Sequence, residues 1–173
     1  MSHWYMMTVV GKDRPGIVAH LSAALFDGGC NLGEATMMRL GGNFTIMMMV
    51  KFDGRTKALN DIVKPVADSM GLHLHVDAIE GQLHQHLEPD VRITVYGADR
   101  AGIVAKVTGA LAEAGFHILE METDVGGSEE KPIYIMHMEG HAGEGVAALQ
   151  SALDIIKSEG VDTRLSEIET LIG

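Results

Sequence analysis

The sequence predicts an α+β protein built from two tandem modules, each running strand, helix, strand, strand, helix, strand. Three observations predict it. The segment Gly11-Lys-Asp-Arg-Pro-Gly-Ile-Val-Ala19 recurs 86 residues later as Gly97-Ala-Asp-Arg-Ala-Gly-Ile-Val-Ala105, with seven of nine positions identical, and self-similarity at a fixed offset marks a duplicated structural unit. The apolar pattern switches from a period of two to a helical period just after each copy. A length of 173 residues leaves room for two small domains, each with its own core.

The first strand of the second module is the easiest to read. Val91, Ile93 and Val95 alternate with Arg92, Thr94 and Tyr96, as a sheet with one buried face requires; Tyr5, Met7 and Val9 are their counterparts. After Gly11 and Gly97 the stripes Ile17, Val18, Leu21, Ala24, Leu25 and Ile103, Val104, Val107, Ala110, Leu111 each cover one face of a helix. Asp13 and Asp99 are placed to cap these helices, and Gly28-Gly29 and Gly115 to stop them. A hairpin follows in the first module, Asn31 to Leu40, then Phe44 to Phe52, around Gly41-Gly42-Asn43; the second is expected to have a longer turn, Gly126 to Lys131. The second helices are marked by Leu59, Ile62, Val63, Val66, Ala67 and Met70, and by Val146, Leu149, Leu153 and Ile156, with stops at Gly71 and Gly160. Pro65 falls inside the first of these, where it removes the hydrogen bond to the Asp61 carbonyl at a cost of about 3 kcal/mol and should kink the axis. Final strands begin at Leu72 and Val161. The order βαββαβ is that of the ferredoxin-like sandwich, a four-stranded antiparallel sheet with two helices on one face. Module boundaries are expected at 1–80 and 90–173, with residues 81–89 as a polar linker.

Composition narrows the function. Asp and Glu number 24 against 13 Lys and Arg, a formal charge of -11, which disfavours direct nucleic-acid binding because that affinity comes chiefly from Lys and Arg displacing counterions. The single cysteine, Cys30, excludes an internal disulfide and a Cys-only zinc site and fits a reducing compartment. No apolar run approaches the roughly 20 residues that span a bilayer, and the start MSHWYMM lacks the marks of a signal peptide. A soluble, unprocessed, cytoplasmic protein is expected, without a cofactor and without a membrane partner.

At Asp13-Arg-Pro-Gly-Ile-Val18, followed by Gly29-Cys-Asn-Leu32, the chain resembles ACT domains, small ferredoxin-like modules that bind amino acids and regulate metabolic enzymes. Both halves match, and the tandem arrangement is similar to the glycine cleavage system transcriptional repressor family. That resemblance implies a non-catalytic regulator that binds a small amino acid, glycine among the candidates, and acts through a protein partner such as a transcription factor. It also implies two ligand sites, one from Asp13, Arg14, Gly16, Ile17, Asn31 and Leu32, the other from Asp99, Arg100, Gly102, Ile103, His117 and Ile118. The physical case is independent of the family: a glycine-containing strand-to-helix turn leaves helix N–H groups aimed at the solvent, at the positive end of the macrodipole, where an α-carboxylate fits. His117 in place of Asn31 makes the two sites unequal. The same residues have a structural reading, in which glycine serves only the turn and Asp with Arg caps and pairs at the surface.

Other residues invite function less strongly. His73, His75, His84 and His86 form two His-x-His pairs, with Asp77 and Glu80 nearby, but match no defined zinc pattern; a solvated edge and linker is the plainer reading, and a His-based metal sensor the weakest alternative. Met37, Met38 and Met47 to Met49 fall in strands, some inward as core and some outward, where they could meet a partner or a second copy in a homodimer. A ligand-independent interaction module is the main alternative to sensing. Cys30 has no His partner in sequence and reads as packing, while Glu34 and Glu120, equivalent in the repeat, read as surface residues.

Overall fold

A computed structural model describes residues 2–80, 87–98 and 102–169. The chain divides into two compact units, Met1–His84 and Gln85–Gly173. Residues 81–86 of the expected linker lie outside the described residues.

The first unit runs β1 (His3–Lys12), α1 (Ile17–Asp27), β2 (Asn31–Leu40), β3 (Asn43–Phe52), α2 (Thr56–Ser69) and β4 (His73–Ala78). Its sheet has the order β2-β3-β1-β4 with every pair antiparallel. β1 is central because its alternation is the cleanest: Tyr5, Met7 and Val9 are buried and face Val50, Met48 and Ile46 across the ladder. Onto that face the helices lay Ile17, Leu21 and Leu25 from α1 and Leu59, Val63 and Ala67 from α2. Each of these Ile, Leu and Val side chains, taken from water, contributes about 1.5–3 kcal/mol.

The second unit repeats the order with β5 (Val91–Ala98), α3 (Ile103–Glu113), β6 (Phe116–Ser128), β7 (Lys131–Ala142), α4 (Val146–Ser158) and β8 (Asp162–Glu167), its sheet ordered β6-β7-β5-β8. Val91, Ile93 and Val95 meet Met136 and Met138 of β7 and Val107, Leu111, Leu149 and Leu153 of the helices. Both units are therefore ferredoxin-like βαββαβ sandwiches.

Details differ from expectation in three places. The second hairpin has no longer turn: β6 runs on to Ser128 and β7 begins at Lys131, so Gly126 and Gly127 pair with Ile133 and Pro132 inside the ladder and only Glu129-Glu130 turn the chain. The Ser128 hydroxyl accepts the Lys131 amide at 3.2 Å and closes that turn. In the first hairpin Asn43 already belongs to β3, leaving Gly41-Gly42, both at positive φ, as the turn. Among the methionines, Met48 is core and Met47 is exposed, whereas Met49, on the outer face, is buried; a Cβ added at Gly33 would come within 3.1 Å of its Cβ and 2.8 Å of the Trp4 ring. As expected, α2 runs through Pro65, to Ser69.

That proline is exposed, so replacing it loses little packing. Pro65→Ala restores the amide donor to the Asp61 carbonyl and removes the ring clash, worth about 3 kcal/mol, against some 0.4–1 kcal/mol returned by loosening the unfolded chain. A net gain of about 2 kcal/mol, read from the urea midpoint at constant m-value, is the expected result.

Candidate ligand site

Between the end of β1 at Lys12 and the start of α1 at Ile17 lie Asp13, Arg14, Pro15 and Gly16. Gly16 is the N-cap, at φ 90 and ψ -4, a left-handed conformation that costs an L-residue about 1–2 kcal/mol. Gly102 holds φ 87 and ψ 0 at the same point before α3. The two turns thus share one backbone solution. The Gly16 carbonyl accepts the His20 amide at 2.9 Å, and His20 Nδ1 lies 2.6 Å from the same oxygen.

The Asp13 cap does not form. Its carboxylate instead pairs with Arg39, Nε to Oδ2 2.5 Å, and its amide donates to the Gly42 carbonyl at 3.0 Å. The reason is spacing: a capping side chain belongs to the residue just before the first helical one, and three residues separate Asp13 from Ile17. Among the described residues no side chain caps α1 or α3, and the first-turn amides of α1 stand at the positive end of its dipole without an intrahelical acceptor. Asp99 and Arg100 lie outside the described residues.

Beside the first turn opens a cleft of about 720 Å³ lined by Val10, Gly11, Lys12, Asp13, Arg14, Asn43, Met70, Gly71 and His73. Register assembles it: Lys12 lies opposite Asn43 on β3, and Val10 opposite His73 on β4. Close packing bounds it, since a Cβ on Gly11 would stand 2.6 Å from Leu72 Cδ2 and 3.2 Å from the Gly71 carbonyl. Lys12, Arg14 and His73 are exposed. Sequence reasoning reached Asp13 and Arg14 but missed Lys12, Asn43, Met70 and Gly71, and read His73 as part of a solvated sheet edge with a metal role as the weaker alternative; the pairing register was the missing signal.

The remaining expected residues sit elsewhere in the unit. Asn31 lies opposite Lys51, eight residues along β3 from Asn43, or roughly 26 Å at about 3.3 Å per residue. In the second unit His117 lies opposite His141 while Ala98 lies opposite Ile133, the same eight-residue separation along β7. The cause is that each first helix runs back along its strand, carrying the chain to the far end of the sheet before β2 or β6 begins. Leu32 is exposed and Ile118 half-buried at those far ends. Ile17 and Ile103 stand at the turns, but their side chains are buried in the cores, so only their amides face a ligand position.

Of the other candidates, His75 pairs with Asp77 at 2.8 Å, and His84 and His86 lie outside the described residues. Among the described residues no group of three or more His, Cys, Asp or Glu is arranged to hold a metal ion. Cys30 is buried, and burial pushes its thiol up, which keeps the nucleophilic thiolate scarce at neutral pH. Glu120 lines a hollow of about 220 Å³ on the outer face of the second sheet with Arg92, Met121, Glu122, His137 and Glu139, where Arg92 Nε donates to Glu139 at 2.7 Å.

The family model described as the ACT domain matches residues 4–77 and again residues 90–164, once on each unit. The chain is a tandem ACT-domain protein. It is 35% identical over 48 residues to the glycine cleavage system transcriptional repressor of Escherichia coli (strain K12), a match covering 28% of this chain and 25% of that protein; the chain thus spans about a quarter of that relative. A single ACT unit's worth of chain, 83 residues or 46% of it, is 31% identical to UPF0237 protein YjhC of Lactococcus lactis subsp. lactis (strain IL1403), covering 95% of the latter. Among solved structures, an unknown protein from Galdieria sulphuraria is 25% identical, with a TM-score of 0.80 over 98% of this chain and 100% of its own. No helix among the described residues is long and apolar enough to cross a membrane.

Both ACT turns depend on glycine for backbone geometry. Gly16→Ala and Gly102→Ala should each destabilise their unit by about 1–2 kcal/mol, measured by thermal unfolding of the full chain, and loss of ligand response in either variant has to be read against that cost.

Proposed function

We propose that this tandem ACT-domain protein is a non-catalytic regulator that binds a small amino acid at the turn before α1 and thereby modulates a protein partner, in the manner of transcriptional control of glycine cleavage. One observation carries the reading: the Asp-Arg-x-Gly-Ile-Val turn of the first unit leaves α1 without a side-chain cap, and Asp13 and Arg14 of the same turn line an open cleft with Lys12 and His73. An α-carboxylate fits the first-turn amides of such a helix, because they supply donors and a favourable dipole together. The kinship with a glycine cleavage repressor supports regulation as the outcome, and the excess of acidic residues supports a protein partner over nucleic acid.

The mechanism is a population shift. A ligand changes partner binding only as far as it binds one conformation of the chain more tightly than another; equal affinity for both changes nothing. A second reading, ligand-independent docking of a partner or second copy, is favoured by the exposed Met37, Met38 and Leu40 on the edge strand β2.

Thermal unfolding with a panel of amino acids, glycine first, separates the two. A ligand at 100 times its Kd should stabilise the chain by about 2.7 kcal/mol. A flat response to every amino acid at millimolar concentration, with partner capture intact, would leave the docking reading in its place.

A further inference from the structure

The two ACT units are not electrostatic equals. By sequence the first, Met1–His84, holds seven Lys and Arg against eight Asp and Glu, while Gln85–Gly173 holds six against sixteen. Nearly all of the net charge of -11 therefore belongs to the second unit. In the first, positive charge gathers at the cleft. Lys12 and Arg14 line it with His73, and no described carboxylate pairs with any of the three. The one acidic liner, Asp13, is matched by Arg39.

Register identifies the corresponding positions in the second unit. Val10 opposite His73 becomes Tyr96 opposite Asp162, and Lys12 opposite Asn43 becomes Ala98 opposite Ile133. A cation becomes a methyl group, and an imidazole becomes a carboxylate. The neighbouring helix ends differ too. α2 closes with Met70 as C-cap and no basic residue in its last turn, so its negative dipole end stays open to a cation. α4 closes with Glu159 as C-cap and Lys157 in its last turn, and Glu159 is paired to Lys106.

From this contrast we infer that the first unit alone carries the ligand cleft, and that its ligand is an amino acid bearing a second negative group, a dicarboxylic amino acid. The two carboxylates answer Lys12 and Arg14, and the ammonium answers the open end of α2, where Met70 and Gly71 line the cleft. A cationic cleft on an acidic chain concentrates anions of this kind and admits them in preference to neutral analogues. This rests on the amino-acid-sensing reading and narrows it to one chemical class and one unit.

Calorimetry on the full chain with L-aspartate against L-asparagine, and L-glutamate against L-glutamine, holds shape nearly constant while removing one charge. The expected result is one site per chain, with at least one acid bound tenfold or more tightly than its amide. That preference should vanish in the double variant Lys12→Ala, His73→Asp, whose new residues are those the second unit already carries at these positions. Lys12→Gln, a change at an exposed site, tests the same point if the double variant loses its cooperative thermal transition. Equal binding of acid and amide, two equivalent sites per chain, or a preference that survives these substitutions would overturn the inference while leaving amino-acid sensing intact. Absence of binding by any amino acid, glycine included, would overturn both.

Discussion

The antiparallel register of β1 between β3 and β4 is the constraint on which the rest of the first unit depends. It puts Asn43 and His73 beside the end of β1, from which Lys12 leads into Asp13 and Arg14, and so makes a cleft from three segments distant in sequence. The same register sends Asn31 to the opposite end of β3. A slip of one residue would turn Tyr5, Met7 and Val9 outward and take the core with it, so the cleft inherits its geometry from the strongest packing in the unit. The candidate site is anchored by burial rather than by a dedicated network of polar contacts.

Much of the fold was legible in the sequence because it is written in local patterns. Alternation exposed the core strands, the stripe from Ile17 to Leu25 marked α1, and the repeat showed that the order of elements in one half recurs in the other. The misreadings also have physical causes. Gly126 and Gly127 look like turn residues, yet a glycine can sit in a ladder, and here both do. Asp13 looked like a helix cap because Asp is a good one, but the chain takes three further residues to reach the helix, and the carboxylate finds Arg39 on another strand. Of the site, the turn was readable and the opposite wall was not: His73 and Met70-Gly71 reach it only through tertiary pairing, which no local period encodes.

Duplication followed by divergence explains why two units with one backbone carry different chemistry. The positive φ at Gly16 and Gly102 and the bulges in β2 and β6 are retained in both copies, since the turn and the sheet edge require them. Side chains around the turn are free of that requirement, and there the halves part, Lys12 against Ala98 and His73 against Asp162. Kinship with the ACT family accounts for the shared frame; it does not make the two surfaces interchangeable.

Gly11 sets how the first cleft can adapt. A methyl group on Gly11 would press on Leu72 and the Gly71 carbonyl, so β1 sits close against the start of β4 at the floor of the cleft. Lys12 and Arg14 stand exposed at the rim, and rotation about their single bonds takes picoseconds to nanoseconds. The rim is thus supple over a close-packed base, and under the proposed reading selectivity would be set at the lip, not by the strands beneath.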